Sequence, residues 1–232
     1  LAEQSVADFV NVYADEQQLL VEFLTWLDNY DPDLIIGWNV INFDMWFLDQ
    51  VCKRVGVPLR MGRNGKILRL RKLDDEGHRF AASVPGRVVI DGIEMLRTAT
   101  YQFESFALNT VAEKVLGTGK LLQGDNRGEK ITELYQQNKQ QLAAYNLQDC
   151  KLVWDIFKKL KLLDFAVART QMTGLALDRL GGSVAAFDFR YLPLLHRMQF
   201  VAPNGHLEED IQHSPGGLVL NSKPGLYRHV LV

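Results

Sequence analysis

The chain has 232 residues, enough to bury a full core and consistent with about one to two domains. With 47% hydrophobic and 23% charged residues it has the composition of an ordinary globular protein, and no apolar run approaches the roughly 18 residues that a membrane span needs. A formal net charge of −2 lacks the basic signature of a nucleic-acid binder, yet does not exclude one, because a site for divalent cations needs carboxylates that offset lysines and arginines.

Nothing at the start resembles a signal peptide. Cys52 and Cys150 each lie in an apolar helical pattern without metal-ligand spacing, which predicts buried free thiols in a reducing, cytoplasmic setting. A first residue of Leu1 and an apolar, strand-like run up to Val232 predict a piece of something longer.

Val6 to Tyr13 reads as a strand, and Asp15 is placed to cap a helix carrying Leu19, Leu20, Phe23, Leu24 and Leu27. Asn29 to Asp33 breaks that helix. Leu34 to Trp38 is apolar and β-branched enough for a buried strand, and Met45 to Val55 carries apolar residues at helical spacing. Between them stand Asn39, Asn42 and Asp44, at the strand end where open α/β sheets place their ligands. Asn42 or Asp44 equally suits the N-cap of the following helix.

Lys66 to Leu73 and His78 to Val84 flank Asp74-Asp75-Glu76-Gly77, the chemistry of a β-hairpin turn. That acidic run reads as a solvated turn. Arg87 to Ile90 reads as a short strand with Asp91 at its tip, an acid that suits either the cap of the turn from Gly92 to Leu96 or, less well, support of a metal site from a neighbouring strand. Ser105 starts a helix that Gly117 ends, and Gly119 to Gly128 is a loop.

From Ile131 the pattern is helical. Leu142 to Leu163 forms one stripe that contains Tyr145, Asn146 and Asp149, and a buried carboxylate there requires a partner or a metal. Further helices run from Phe165 to Leu180 and from Ser183 to Met198. The last thirty residues, rich in Pro and Gly, predict a linker and a hairpin of a second domain.

Tyr145 precedes Asp149 by four residues, so both project from one helix face. Divalent metals take such oxygen ligands, and paired ions about 3.5–4 Å apart can clamp the attacking and leaving oxygens of a phosphodiester. The spacing alone carries little weight, since chance supplies about 0.5 such pairs at this composition. Its context carries more. Asn39-x-x-x-Phe43-Asp44 after a strand, followed by Tyr145-x-x-x-Asp149 in a helix, resembles the second and third motifs of the 3′→5′ proofreading exonuclease domain of family B DNA polymerases. Asp31 to Asn39 also resembles that family. Thr173 to Arg179, and Ser214 to Gly217 through Pro224 to Tyr227, resemble its bacterial polymerase II-like members.

The resemblance implies an α/β fold: a ribonuclease H-like mixed sheet flanked by helices, with an inserted β-hairpin and a helical C-terminal extension. It divides the chain into an exonuclease domain at 1–163 lacking its N-terminal strands, a helical extension at 164–202, and a linker and hairpin at 203–232 leading into a polymerase domain. It implies Asp44 and Asp149 as ligands of two Mg²⁺ or Mn²⁺ ions, and Tyr145 as the residue that orients the attacking water. Asn39, Phe43 and Lys120 are its implied substrate contacts, although Phe43 reads equally as core and Lys120 as a solvated loop lysine. The implied partners are single-stranded and primer–template DNA, the polymerase domain of the same chain and a sliding clamp, with no membrane.

The family's first motif, Asp-x-Glu on an N-terminal strand, has no match before Asp44, so the fragment itself is expected to be weak or inactive. Its Asp-x-x-Ser-Leu-Tyr-Pro polymerase motif is absent as well. A rival expectation is an inactive exonuclease-like domain that binds single-stranded DNA or serves as a structural module.

Overall fold

A computed structural model describes residues 10–74, 79–118, 127–179 and 182–202, together with Asn221, Pro224 and Gly225. The elements are α1 (Glu16–Tyr30), β1 (Leu34–Gly37), a π-helical turn (Ile41–Met45), α2 (Trp46–Val55), β2 (Arg69–Lys72), β3 (Phe80–Ser83), β4 (Val88–Asp91), α3 (Gly92–Thr98), α4 (Leu108–Leu116), α5 (Arg127–Gln137), α6 (Lys139–Lys159), α7 (Leu162–Thr173) and α8 (Ser183–Arg197). The chain divides into two compact units, Leu1–Arg190 and Tyr191–Val232, and the strands and both cores lie in the first. No described helix is long and apolar enough to cross a membrane.

β1 and β4 pair in parallel, Ile35 opposite Val89 and Ile36 opposite Ile90, so that Gly37 and Asp91 end side by side. Side chains alternate across a strand, and here the alternation divides two cores. Ile35 and Val89 pack with Leu20 and Leu27 of α1 and Val51 and Cys52 of α2. Leu34, Ile36 and Ile90 pack on the other face with Met95 and Leu96 of α3, Val111 of α4, and Ile156 and Phe157 of α6. The architecture is therefore mixed α/β, with helices on both faces of a small parallel pair. β2 and β3 form a separate antiparallel pair, Arg69 opposite Ser83 and Lys72 opposite Phe80. Residues 75–78, the predicted turn between them, lie outside the described residues.

Several expectations need correction. β1 is only half-buried at all four positions, because among the described residues it has a strand neighbour on one edge alone. Val10 to Tyr13 forms no strand, and residues 6–9 lie outside the described residues. α4 starts at Leu108 rather than at Ser105, whose hydroxyl instead accepts the Ala107 N–H at 3.1 Å in a local turn. The stripe from Leu142 to Leu163 is two helices, α6 and α7, divided where Lys161 adopts a left-handed conformation with φ 52°. α7 stops at Thr173 rather than at Leu180, with Gly174 left-handed beyond it. Cys52 is buried as expected, but Cys150 is exposed. Other local readings hold: Asp15 caps α1 by accepting the Gln18 N–H at 2.7 Å, and Gly117 ends α4.

A buried arginine anchors the entry to β1. Arg87 donates from Nη1 to Asp31 Oδ1 (2.7 Å) and to the Pro32 carbonyl (2.8 Å), and from Nε to the Met61 carbonyl (2.9 Å). Arg63 closes the same cluster from the surface, donating to Asp31 at 2.7 Å and to Asp33 at 2.6 Å. The Arg63 guanidinium, opposed by desolvation and helped by Arg87, holds the Asp31 carboxyl below its ordinary range. This stabilisation is present above the ordinary carboxyl pKa and is lost as pH falls through the lower folded value.

Arg87→Met strands the Met61 and Pro32 carbonyls and is expected to cost about 2–4 kcal/mol, read as a lower urea midpoint with unchanged slope. Gly92 is the point where the start of α3 meets the second core: an added Cβ would lie 2.7 Å from Trp38 Cε3 and 3.1 Å from Phe157 Cε2. Gly92→Ala is expected to cost about 1–3 kcal/mol by overpacking in the same measurement.

Candidate active site

The turn from β1 into α2 carries three of the predicted residues. Gly37 is required at its start, since a Cβ there would sit 2.5 Å from Val40 Cβ. Asn39 then reverses the chain with φ 57°, a left-handed conformation that Asn tolerates better than most residues. The Phe43 N–H bonds back to the Asn39 carbonyl at 3.0 Å and the Met45 N–H to the Val40 carbonyl, five residues earlier, at 2.8 Å, giving the widened π geometry. Such one-turn π segments recur at functional sites.

Neither Asn42 nor Asp44 caps α2, which has no side-chain cap. Asn42 instead donates to Asn39 Oδ1 at 3.2 Å and accepts the Phe80 N–H of β3 at 2.8 Å, tying the turn to the antiparallel pair. Asp44 and Phe43 both face solvent, and Phe43 is 64% exposed, which removes its reading as a core residue. Partial desolvation pushes the Asp44 carboxyl above its ordinary pKa, although its own backbone N–H pulls the other way.

α6 carries the other pair. Tyr145 is buried and Asp149 half-buried, with Asp149 Oδ1 shut off from solvent, whereas Asn146 is exposed rather than part of the stripe. Tyr145 and Cys150 line an open cavity of about 650 Å³ bounded by Val10 and Val12, by Tyr135 of α5 and by Leu142. Although Cys150 is exposed, partial desolvation pushes its thiol pKa up, and the charges of Asp149 and then Asp44 push the same way. The structure thus brings Asp44, Asn39 and Phe43 onto one turn, and carries Tyr145 and Asp149 one helical turn apart on α6. Lys120 lies outside the described residues.

Asp91 shows the limit of reading acids from sequence. It caps α3 as expected, accepting the Ile93 N–H at 2.9 Å and the Glu94 N–H at 3.4 Å. It is also only 2% exposed, and its Oδ2 has no hydrogen bond. Burial raises its pKa, against the pull of the Ile93, Glu94 and Ile41 N–H groups. Its depth had no local signal, because it follows from helices closing over both faces of β4.

Among the described residues no group of three or more His, Cys, Asp or Glu is disposed to hold a metal. Asp44 and Asp149 supply hard oxygen donors of the right kind, but two carboxylates alone are fewer than a two-ion site commonly uses.

Residues 2–111 match the family model described as DNA polymerase family B, exonuclease domain. Those residues, just under half of the chain, resemble the exonuclease domain of that family. It is 45% identical to DNA polymerase II of Escherichia coli (strain K12), across 99% of this chain and 30% of that protein. It is 25% identical to a DNA polymerase of Thermococcus kodakarensis, across 96% of this chain and 13% of that protein, and 24% identical to a DNA polymerase of Thermococcus gorgonarius, across 96% and 29%. The chain therefore spans a third or less of each of these relatives.

Two outcomes are expected from the turn. Asn39→Ala should lower stability by about 1 kcal/mol through strain at positive φ, whereas Asn39→Gly should cost less, both read from urea midpoints. The folded pKa of Asp44 lies above its unfolded value, so its ionised form opposes folding above the folded pKa, and this opposition vanishes below the unfolded one. Asp44→Asn should accordingly raise the metal-free unfolding temperature at neutral pH, with the difference closing as pH falls below about 4.

Proposed function

We propose that this chain is most of the 3′→5′ proofreading exonuclease domain of a bacterial DNA polymerase II-like protein, a cytoplasmic enzyme that hydrolyses single-stranded primer 3′ ends. The observation that carries the reading is the match of residues 2–111 to the family B exonuclease domain, supported by the placement of Asp44 and exposed Phe43 on one turn after β1. On this reading residues 1–163 form the ribonuclease H-like exonuclease domain with its inserted hairpin. Residues 164–202 extend it, and 203–232 lead toward a polymerase domain.

Asp44 and Asp149 would hold Mg²⁺ or Mn²⁺ through their carboxylate oxygens. When bound, the ions supply charge neutralisation at the phosphate and a more acidic water. Tyr145, one helical turn before Asp149, orients that water, and its burial fixes the ring. Phe43 stacks on a base of the single strand, a contact that tolerates any sequence, while Asn39 and Lys120 position the strand. A mispaired end melts at the lowest cost, which gives selectivity for errors. Primer–template DNA, the polymerase domain and a sliding clamp are the partners this reading assigns. The rival reading keeps single-strand binding without hydrolysis.

The test is a chimera in which these 232 residues replace the matching segment of E. coli DNA polymerase II. Mg²⁺-dependent shortening of a single-stranded 3′ end should appear in the chimera and fall about a hundredfold or more with Asp44→Ala or Asp149→Ala. The isolated chain should show little shortening. Loss of activity in the chimera, with salt-sensitive but metal-independent DNA binding retained, would establish the binding module instead.

A further inference from the structure

We propose that the cavity between the β2–β3 pair, β4 and the Asp178–Arg179 turn binds a small phosphate-bearing ligand with a hydrogen-bond donor beside its phosphate, the chemistry of a mononucleotide. The cavity measures about 270 Å³ and shares none of the residues assigned above to hydrolysis. The inference therefore stands apart from the nuclease reading.

Arg71, Arg79 and Arg179 line it. Among the described residues none of the three side chains has an ion pair or hydrogen bond. Three exposed arginines at the rim of one small cavity offer the kind of donor fork that matches phosphate oxygens. Across the cavity lies Asp91, 98% buried, whose Oδ2 meets no donor in hydrogen-bond geometry among the described residues, although the Ile41 N–H also acts on this carboxyl. A buried acceptor left without a donor is costly, and a ligand hydroxyl or amine would satisfy it. Asn42, fixed by its bonds to Asn39 and Phe80, gives a rigid polar wall.

Two further acids lie at the cavity, Glu94 and Asp178. Glu94 is engaged by Arg97 at 3.0 Å, and Asp178, exposed like the three arginines, makes no ion pair with them among the described residues. The volume lies just below the roughly 300–1,000 Å³ of drug-sized sites. It suits one nucleotide unit, either free or at the end of a strand.

The test is calorimetric titration of the 232-residue chain in EDTA with deoxyadenosine monophosphate, inorganic phosphate and deoxyadenosine. EDTA removes any phosphate binding through metal at Asp44 and Asp149. The nucleotide is expected to bind one per chain, more tightly than phosphate, while deoxyadenosine gives no saturable heat. The double variant Arg71→Gln/Arg79→Gln, and Arg179→Gln separately, should each weaken nucleotide binding about tenfold or more. Their unfolding temperatures should change little, because these exposed side chains make no ion pair or hydrogen bond among the described residues. Competition by a 5′-phosphorylated dinucleotide would identify a strand end as the source of the ligand, and its failure to compete would identify the free mononucleotide. Absence of saturable nucleotide binding, equal binding of deoxyadenosine, or unchanged affinity in the folded variants would overturn the proposal.

Discussion

The first structural unit depends on the alternation of side chains across two four-residue strands. Ile35 and Val89 belong to one core and Ile36 and Ile90 to the other, so each strand is the shared wall of two hydrophobic clusters. A slip of one residue would exchange every side chain between the faces. It would place Ile36 and Ile90 against α1 and α2, whose contacts are shaped for Ile35 and Val89. Strands this short contribute few ladder hydrogen bonds, so the packing of helices on either face fixes the register. The register then sets the positions of Gly37 and Asp91 beside each other. From those two tips leave the π-helical turn and α3, which carry Asp44 and the capped Asp91.

The turn itself trades local satisfaction for tertiary contact. Asn42 and Asp44 have the chemistry of N-caps, and local rules place one of them at the start of α2. The chain instead widens by one residue, leaving α2 uncapped, while Asn42 accepts a backbone N–H from Phe80, 38 residues away. That bond joins the antiparallel pair to the strand tip and leaves the Asp44 carboxylate on the outer side of the turn. A capping carboxylate would have its oxygens occupied by backbone N–H groups. One left uncommitted, and partly desolvated, is better suited to receive a cation.

Much of this was legible in the residues, and what was hidden follows from physical causes. The cap at Asp15, the stop at Gly117 and the cap at Asp91 rest on local chemistry, which the chain states directly. The break at Lys161 was hidden because neither Gly nor Pro marks it. The exposure of Cys150 and Asn146 was hidden because an apolar stripe at heptad-like spacing does not say how far along the helix a neighbour extends. Burial on α6 is dense from Leu152 to Phe157, where α4 and α7 cover it, and sparse around Asn146.

Arginine shows how one residue type is used in opposite ways within the same unit. Arg87 is buried, and its donors go to Asp31, Pro32 and Met61, so its charge is consumed in holding the entry to β1. Arg71, Arg79 and Arg179 pair with no acid among the described residues and line an open cavity, in a chain whose formal net charge is −2. Acids outnumber bases overall, and Asp28, Asp31 and Asp33 gather around Arg63 and Arg87. Positive potential at the cavity therefore arises from placement rather than from composition. Composition alone ranked this chain as an unremarkable acidic globule; the distribution of its paired and unpaired guanidinium groups is what gives it a surface suited to phosphate.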